Sequence, residues 1–139
     1  MNSIFQELVL DSDNPNLKVI VKLNNYEKRT QYKDSGYKWN PEEKYWFKNY
    51  FLNFFYWDSQ YPNKFDQQFD NLIYEISMDK NIDKDILEMF LRQLRKSVQL
   101  IPAIEFKCKK ENDGKVSIDI NIPNLPDKMM KQYGYIWSN

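Results

Sequence analysis

Two segments of this chain follow the same pattern, and this internal repeat limits the possible folds more than any other feature. Residues 18–39 and 115–137 both begin Lys-Val, continue as an apolar strand and close with Lys-x-x-Gly-Tyr-x-Trp. Two of the chain's three glycines, Gly36 and Gly134, occupy the same place in the two segments. Similarity of this kind predicts one supersecondary unit that is used twice.

The first copy, residues 18–48, predicts a strand, a short helix and a hairpin. Apolar and polar side chains alternate at its start, as in a strand with one buried face. Asn24 or Asn25 can cap a helix over 26–35, and Gly36 lies where a helix needs a left-handed residue. The buried face is predicted to carry Val19, Val21 and Leu23, and the turn of the hairpin Asn40, Pro41, Glu42 and Glu43.

The second copy, residues 115–137, matches only the first half of this pattern. It contains a strand, then Asn124 as a helix cap, and then Gly134-Tyr135-Ile136-Trp137. The turn and the return strand have no counterpart there. Each copy is therefore predicted to be a β-α-β unit, to which the first copy adds one more strand.

The segment between the copies is predicted to be mainly helical over 49–100. It opens with residues 45–57, which hold nine of the 23 aromatic side chains. This stretch can be a strand or a helix, and we prefer a strand through about residue 48 followed by a short helix. Apolar spacing then predicts helices over 66–78 and 84–99, with Asp79, Asp83 and Asp85 as helix-cap charges.

Two further elements are predicted outside the repeat and the helices. Residues 103–109 and 115–122 read as strands joined at Asp113-Gly114, a strong hairpin signal. Residues 4–10 form another strand or a short helix. The whole chain, 1–139, is then one compact α+β domain: two duplicated β-α-β(β) modules bridged by an aromatic segment and two helices.

Composition excludes several classes of enzyme. The chain has no histidine, so sites that use imidazole, including Ser-His-Asp triads and histidine-ligated metals, cannot form. Its single cysteine, Cys108, allows no internal disulfide, and we expect a buried, inert thiol. The glycines are too far apart for a phosphate-binding loop. We therefore predict a protein that is not an enzyme and binds neither metal nor cofactor.

Location and charge are also constrained. The sequence contains no apolar run long enough to span a membrane and does not begin like a signal peptide, so we expect a cytoplasmic protein.

Lys plus Arg and Asp plus Glu both number 20. The charges are nevertheless segregated, with a net +4 over 18–57, −5 over 58–90 and +5 over 91–110. A fold can turn such blocks into one basic face.

The first copy resembles a group of small modules attached to nucleic-acid enzymes, among them the HARP domain of annealing helicases. The shared pattern is an apolar strand, a short basic helix, and Gly-aromatic-x-Trp-Asn-Pro followed by Lys-x-Trp-aromatic. The resemblance implies a β-α-β fold and a role in engaging single-stranded or branched DNA. The residues that carry it are Val19, Ile20, Val21, Lys22, Leu23, Tyr26, Lys33, Gly36, Tyr37, Trp39, Asn40, Pro41, Lys44, Trp46 and Phe47.

The sequence contains two sets of candidate binding residues. Lysines interleaved with aromatic rings suit a track for single-stranded nucleic acid, although the tryptophans can equally fill the core of the module. This set is Lys33, Lys38, Trp39, Lys44, Trp46 and Lys48. Aromatic side chains in excess of what a small core can hide would mark a partner-binding surface, and this second set is Tyr50, Phe54 and Trp57.

Our leading hypothesis is a non-enzymatic binding module that acts on nucleic acid or on a nucleic-acid-processing machine. The alternative is a small interaction protein of viral or phage type that binds and inhibits a host protein through an aromatic and acidic surface. The abundance of Lys, Asn and Ile fits the AT-rich genome of a virus or mobile element.

Overall fold

The computed structural model describes residues 4–13, 16–53, 62–97 and 105–121. The strands are β1 (Phe5–Asp13), β2 (Asn16–Asn24), β3 (Lys38–Asn40), β4 (Tyr45–Asn53), β5 (Glu105–Glu111) and β6 (Val116–Asn121). The helices are α1 (Arg29–Asp34), which follows a 3₁₀ turn at Tyr26–Lys28, α2 (Pro62–Ser77) and α3 (Lys84–Ser97). This combination of helices with an antiparallel sheet confirms the predicted α+β class.

The strands form one sheet in the order β3-β4-β2-β1-β5-β6, and all neighbours are antiparallel. Because β2 and β3 both pair antiparallel with β4, they run in the same direction with β4 between them. The first copy of the repeat therefore forms the predicted strand, helix and hairpin. The return strand of the hairpin, β4, lies beside β2, which the sequence did not predict.

The core lies between the sheet and helices α2 and α3. Helix α2 packs on β4, and α3 packs on β1 and β5. The alternation predicted for β2 is confirmed, since Val19, Val21 and Leu23 are fully buried whereas Ile20 and Lys22 between them are only partly buried. The buried side chains of the two layers include Leu8, Leu10, Val19, Val21 and Leu23 from the strands and Leu72, Ile76, Ile86, Phe90 and Leu94 from the helices.

Side chains at the intervening positions of β1 and β2 lie on the opposite face of the sheet, because strand residues alternate between faces. There Lys18 lies 3.6 Å from Asp11, and Lys22 lies 3.5 Å from Glu7. These two lysines of the basic block 18–57 are therefore paired with carboxylates of the neighbouring strand.

Strand β4 corrects one prediction. It continues to Asn53 instead of ending near residue 48, so the expected short helix is wrong for 49–53. The strand pairs with β2 from Trp46 to Asn53, and this long ladder outweighs any local helical tendency. Aromatic side chains also suit the pleated surface of a sheet.

The other elements agree with the sequence where the structure describes them. The N-terminal segment is a strand, α2 and α3 cover most of the predicted helices, and β5 and β6 form the predicted hairpin. Strand β6 is the strand predicted at the start of the second copy. The rest of that copy, including Gly134 and Trp137, lies outside the described residues, so the duplication stays a prediction.

Candidate functional site

The site begins with the local structure that joins β2 to β3. Asn25 is the helix cap: its Oδ1 accepts a hydrogen bond from the Glu27 amide, 3.2 Å away. Gly36 ends the helix with a φ of +89°, the left-handed conformation that favours glycine. The amide of Tyr37 then donates to the Tyr32 carbonyl at 3.0 Å. The chain is thereby turned from α1 directly into β3.

The hairpin of β3 and β4 brings two tryptophans together. Trp39 and Trp46 are directly opposite in the register, and their ring centroids lie 5.5 Å apart. Trp46 is half-buried and also contacts the buried ring of Tyr32, with 6.5 Å between centroids. Trp39, in contrast, is 40% exposed. Trp46 thus forms the inner wall of an aromatic surface and Trp39 its accessible edge.

A second aromatic residue and a cation complete this surface. Tyr26, in the 3₁₀ turn, is 70% exposed, and the guanidinium carbon of Arg29 lies 3.9 Å from its ring centroid. Arg29 also donates from Nη1 to the Tyr26 carbonyl at 2.8 Å, which fixes the stacked geometry. We call the resulting concavity of about 330 Å³ the tryptophan pocket. Its lining residues are Asn24, Tyr26, Arg29, Trp39 and Trp46.

The pocket contains two of the six predicted nucleic-acid-binding residues, Trp39 and Trp46. Three others, Lys33, Lys38 and Lys44, are exposed on α1, on β3 and in the turn before β4, but they do not line the pocket. Lys44 has a φ of 62°, which is uncommon for a residue with a side chain.

Lys48 does not belong to the pocket. Its Nζ donates to the Ser35 carbonyl at 3.1 Å and lies over the rings of Tyr37 and Tyr50, at 5.9 and 5.2 Å. Its register opposite Val21 places it on the helix-facing side of the sheet. Trp46, opposite Leu23, lies on the same side of the sheet. Lys48 is nevertheless directed toward Ser35 and the two tyrosines, and it does not line the tryptophan pocket.

Tyr50, which was predicted to belong to an exposed aromatic surface, is buried in the structure. Its side chain is only 9% exposed, and its hydroxyl donates to Oδ2 of Asp79 at 2.8 Å. It is buried because its position on β4 faces α2 and the core. Phe54 and Trp57, the other members of that set, lie outside the described residues. The exposed ring on this strand is Phe51.

Asp79 is a structural centre and not a helix-cap charge as predicted. It follows α2 and accepts hydrogen bonds from the hydroxyls of Tyr37, at 2.5 Å, and Tyr50. Its Oδ1 accepts from the amide and side chain of Asn81, both at 3.0 Å. Burial, followed by the hydrogen bond to Asp79, raises the pKa of both tyrosine hydroxyls well above the usual value. Both phenols therefore remain protonated and act as donors.

The other two aspartates lie at the start of α3, as expected for helix-cap charges. Asp85 is in the first turn, where its Oδ1 accepts from the Ile86 amide at 2.9 Å. Lys110 on β5 lies 2.8 Å from Asp85 and 3.2 Å from Asp83. Hydrogen bonding to Lys110 lowers the pKa of Asp85. These carboxylates bind α3 to the sheet.

The described ranges contain few other residues that could act chemically. Cys108 is fully buried, and burial raises the pKa of its thiol to about 12, as expected for an inert cysteine. Ranges 4–13, 16–53, 62–97 and 105–121 contain no group of three or more carboxylates or thiols placed to hold a metal ion. No helix in these ranges is long and apolar enough to cross a membrane.

Sequence reasoning did not select Tyr26 or Arg29 as site residues. The available signal was their spacing, because residues three apart lie on the same side of a helical turn. What the sequence did not show is that β3 would place Trp39 beside them.

No protein-family model, curated protein sequence or solved structure matches this chain, so the geometry of the pocket is the basis for proposing a function.

Proposed function

We propose that this chain is a non-enzymatic module that binds single-stranded nucleic acid by stacking an unpaired base in the tryptophan pocket. The observation that carries the proposal is the accessible edge of Trp39 against Trp46, opposite a guanidinium stacked on Tyr26. Aromatic surfaces of this kind hold bases without regard to sequence, because every base presents a π-face.

The exposure of the pocket residues supports a binding role. Large aromatic side chains contribute most to stability when they are buried, yet Tyr26 and Trp39 remain substantially accessible. Tyr32 and Trp46 supply the buried part of the aromatic cluster. The two exposed rings are therefore available for a ligand without disturbing the core.

Arg29 supplies the charge that such a ligand requires. One of its five N–H donors binds the Tyr26 carbonyl, and no carboxylate of the described segments forms a salt bridge with it. A guanidinium in this position can bind a phosphate oxygen while the adjacent base lies against Trp39. Lys28 and Lys38, the sequence neighbours of Arg29 and Trp39, are exposed and add positive charge.

The pocket favours single strands over duplex. At about 330 Å³ it lies at the small end of ligand-binding pockets and has room for an unpaired base. Bases within a duplex are already stacked on their neighbours and cannot enter without being unpaired. Unpaired regions of single-stranded or branched substrates meet this requirement.

The test is a fluorescence titration with a short oligothymidylate and with a duplex of the same length. We expect Trp39→Ala to weaken binding of the single strand by about 5- to 150-fold, which corresponds to about 1–3 kcal/mol for one stacked base. Trp39→Phe keeps a ring and should lose less.

Ile118→Ala is a suitable control for this titration. Ile118 is 39% exposed, close to the exposure of Trp39, but lies on β6 at the other edge of the sheet. Its substitution should leave the affinity unchanged. The proposal is wrong if the wild-type protein does not bind the oligothymidylate at low salt, or if both alanine variants bind it as the wild type does.

A further inference from the structure

The second half of β4, past the end of its pairing with β3, forms a surface separate from the tryptophan pocket. Strand β3 pairs only with Tyr45, Trp46 and Phe47 of β4. From Lys48 to Asn53, β4 has β2 on one side and, among the described strands, none on the other. Alternate N–H and C=O groups of an unpaired edge point outward and can pair with another strand.

Large apolar side chains surround this edge. Phe51 on β4 and Tyr74 and Met78 on α2 are each exposed by 60% or more. All three line an open groove of about 790 Å³ between the strand edge and the end of α2. Phe51 is opposite Lys18 in the register, so its ring lies on the face of the sheet away from α2. Exposed apolar side chains therefore flank this edge on both faces, as expected of an interaction surface.

The charges of the groove indicate what kind of partner fits. It is lined by two cations, Lys48 and Lys80, and by two anions, Glu75 and Asp79. A groove with equal numbers of both signs is complementary to a copy of itself, because a two-fold axis can place each charge near an opposite one. A strongly acidic or basic partner would leave one pair unmatched.

We propose that the chain forms a dimer in which β4 pairs antiparallel with β4 of a second copy, so that one sheet continues through both subunits. The favoured register places Phe51 on the two-fold axis, opposite itself. This register buries both exposed rings against each other, a favourable cross-strand pair. It also keeps α2 of both subunits on the same side of the sheet, where Tyr74 and Met78 can pack against their symmetry mates.

Sedimentation equilibrium of the full chain over a range of concentrations tests the dimer. We expect a reversible monomer–dimer equilibrium in the wild type, and a dimer at least about 10-fold weaker in Phe51→Lys, since that residue is central to the interface. Tyr26→Lys is the matched control: Tyr26 is as exposed as Phe51 but lies in the tryptophan pocket. It should dimerise as the wild type does.

A cysteine at the axis tests the register. Directly opposed residues of antiparallel strands have Cα atoms about 4.5–5.5 Å apart, within the range that a disulfide spans. Phe51→Cys should therefore form a covalent dimer on mild oxidation, whereas Tyr26→Cys should not. The native Cys108 is fully buried and does not compete.

Several outcomes would overturn the proposal. One is a wild type that stays monomeric at every concentration, and another is a dimer that Phe51→Lys and Tyr26→Lys weaken equally. Oxidation of Phe51→Cys no faster than Tyr26→Cys would contradict the register. Oligothymidylate binding distinguishes this inference from the proposed function, because Phe51→Lys should retain it and Tyr26→Lys should lose it.

Discussion

At the scale of single residues, Asp79 connects parts of the chain that are far apart in the sequence. Its carboxylate joins the loop after α2 to tyrosines 42 and 29 positions away in the sequence. Both tyrosine hydroxyls are donors within or next to the core, so removal of their acceptor leaves two buried polar groups unpaired.

We expect Asp79→Ala to lower the free energy of unfolding by about 2–4 kcal/mol, because each unpaired donor costs about 1–3 kcal/mol. Asp79→Asn keeps an acceptor oxygen and should cost less. Urea unfolding measures both, with Asp70→Ala as the control, since Asp70 is exposed on α2. Equal losses for Asp79→Ala and Asp70→Ala would show that the hydroxyls find other acceptors.

The raised pKa of Tyr37 predicts a loss of stability in alkali. Burial first, and then the hydrogen bond to Asp79, keep this phenol protonated in the folded state above its usual pKa of 10.0. The unfolded chain loses that proton as the pH rises past 10, so the stabilisation is fully present below pH 10 and is lost above it. Each such group lowers the free energy of unfolding by up to about 1.4 kcal/mol per pH unit.

Tyr37→Phe removes this contribution. The variant should be less stable than the wild type at pH 7 by about 1 kcal/mol, the net value of one hydrogen bond. Above pH 10 its stability should fall less steeply, so the two curves converge. Urea unfolding at pH 7, 10 and 11 checks this, and parallel curves would refute the assignment.

These residues also show which features could be predicted from the sequence and which could not. The cap at Asn25 and the left-handed Gly36 were predictable, because each depends on neighbours within a few positions. The role of Asp79 was not, because nothing in its own segment specifies two tyrosines from another part of the sheet. Short-range patterns therefore located the turns, and only the assembled fold located the hydrogen-bond centre.

At the scale of elements, two turns depend on a left-handed glycine. Gly36 ends α1 with φ +89°, and Gly114 closes the β5–β6 hairpin with φ +84°. An added Cβ would lie 3.8 Å from Nζ of Lys48 at Gly36 and would meet nothing within 4 Å at Gly114. Neither site is sterically blocked, so backbone strain is the main cost of a substitution.

We therefore expect Gly36→Ala and Gly114→Ala to destabilise the protein by similar amounts, about 1–2 kcal/mol each. Thermal unfolding of the two variants measures the difference. A much larger loss at Gly36 would indicate that the contact with Lys48 is tighter than ordinary packing and that the helix end is held more rigidly than the hairpin.

The element that sequence reasoning placed least well is β4. Its aromatic run has no clear period, so length and composition alone could not decide between a strand and a helix beyond residue 48. The deciding interaction is the ladder with β2, which is specified by residues of both strands. The consequence for the site is direct, because the same ladder buries Tyr50 and exposes Phe51.

At the scale of the whole molecule, the fold pairs some of the lysines in the basic blocks with carboxylates from other parts of the chain. The block 18–57 loses Lys18 and Lys22 to carboxylates on β1, and Lys110 of the block 91–110 binds the start of α3. What remains near the tryptophan pocket is a small cationic group around Arg29. Three lysines of the two basic blocks are therefore neutralised by carboxylates within the fold.

This arrangement predicts that nucleic-acid binding depends only weakly on salt. Each phosphate contact to a single strand contributes a slope of about −0.7 to log K against log salt. With two or three cations beside the pocket, we expect a total slope of about −1.4 to −2 for oligothymidylate. Stacking, which is insensitive to salt, should supply the rest of the affinity.

Arg29→Gln should make that slope shallower by about 0.7, because it removes one phosphate contact. Lys107→Gln is the control, since Lys107 is exposed on β5, with β2 and β1 between it and the hairpin that carries the tryptophans. Titrations at four salt concentrations measure both slopes. A steep wild-type slope that Lys107→Gln reduces as much as Arg29→Gln would place the phosphates across the sheet and not at the tryptophan pocket.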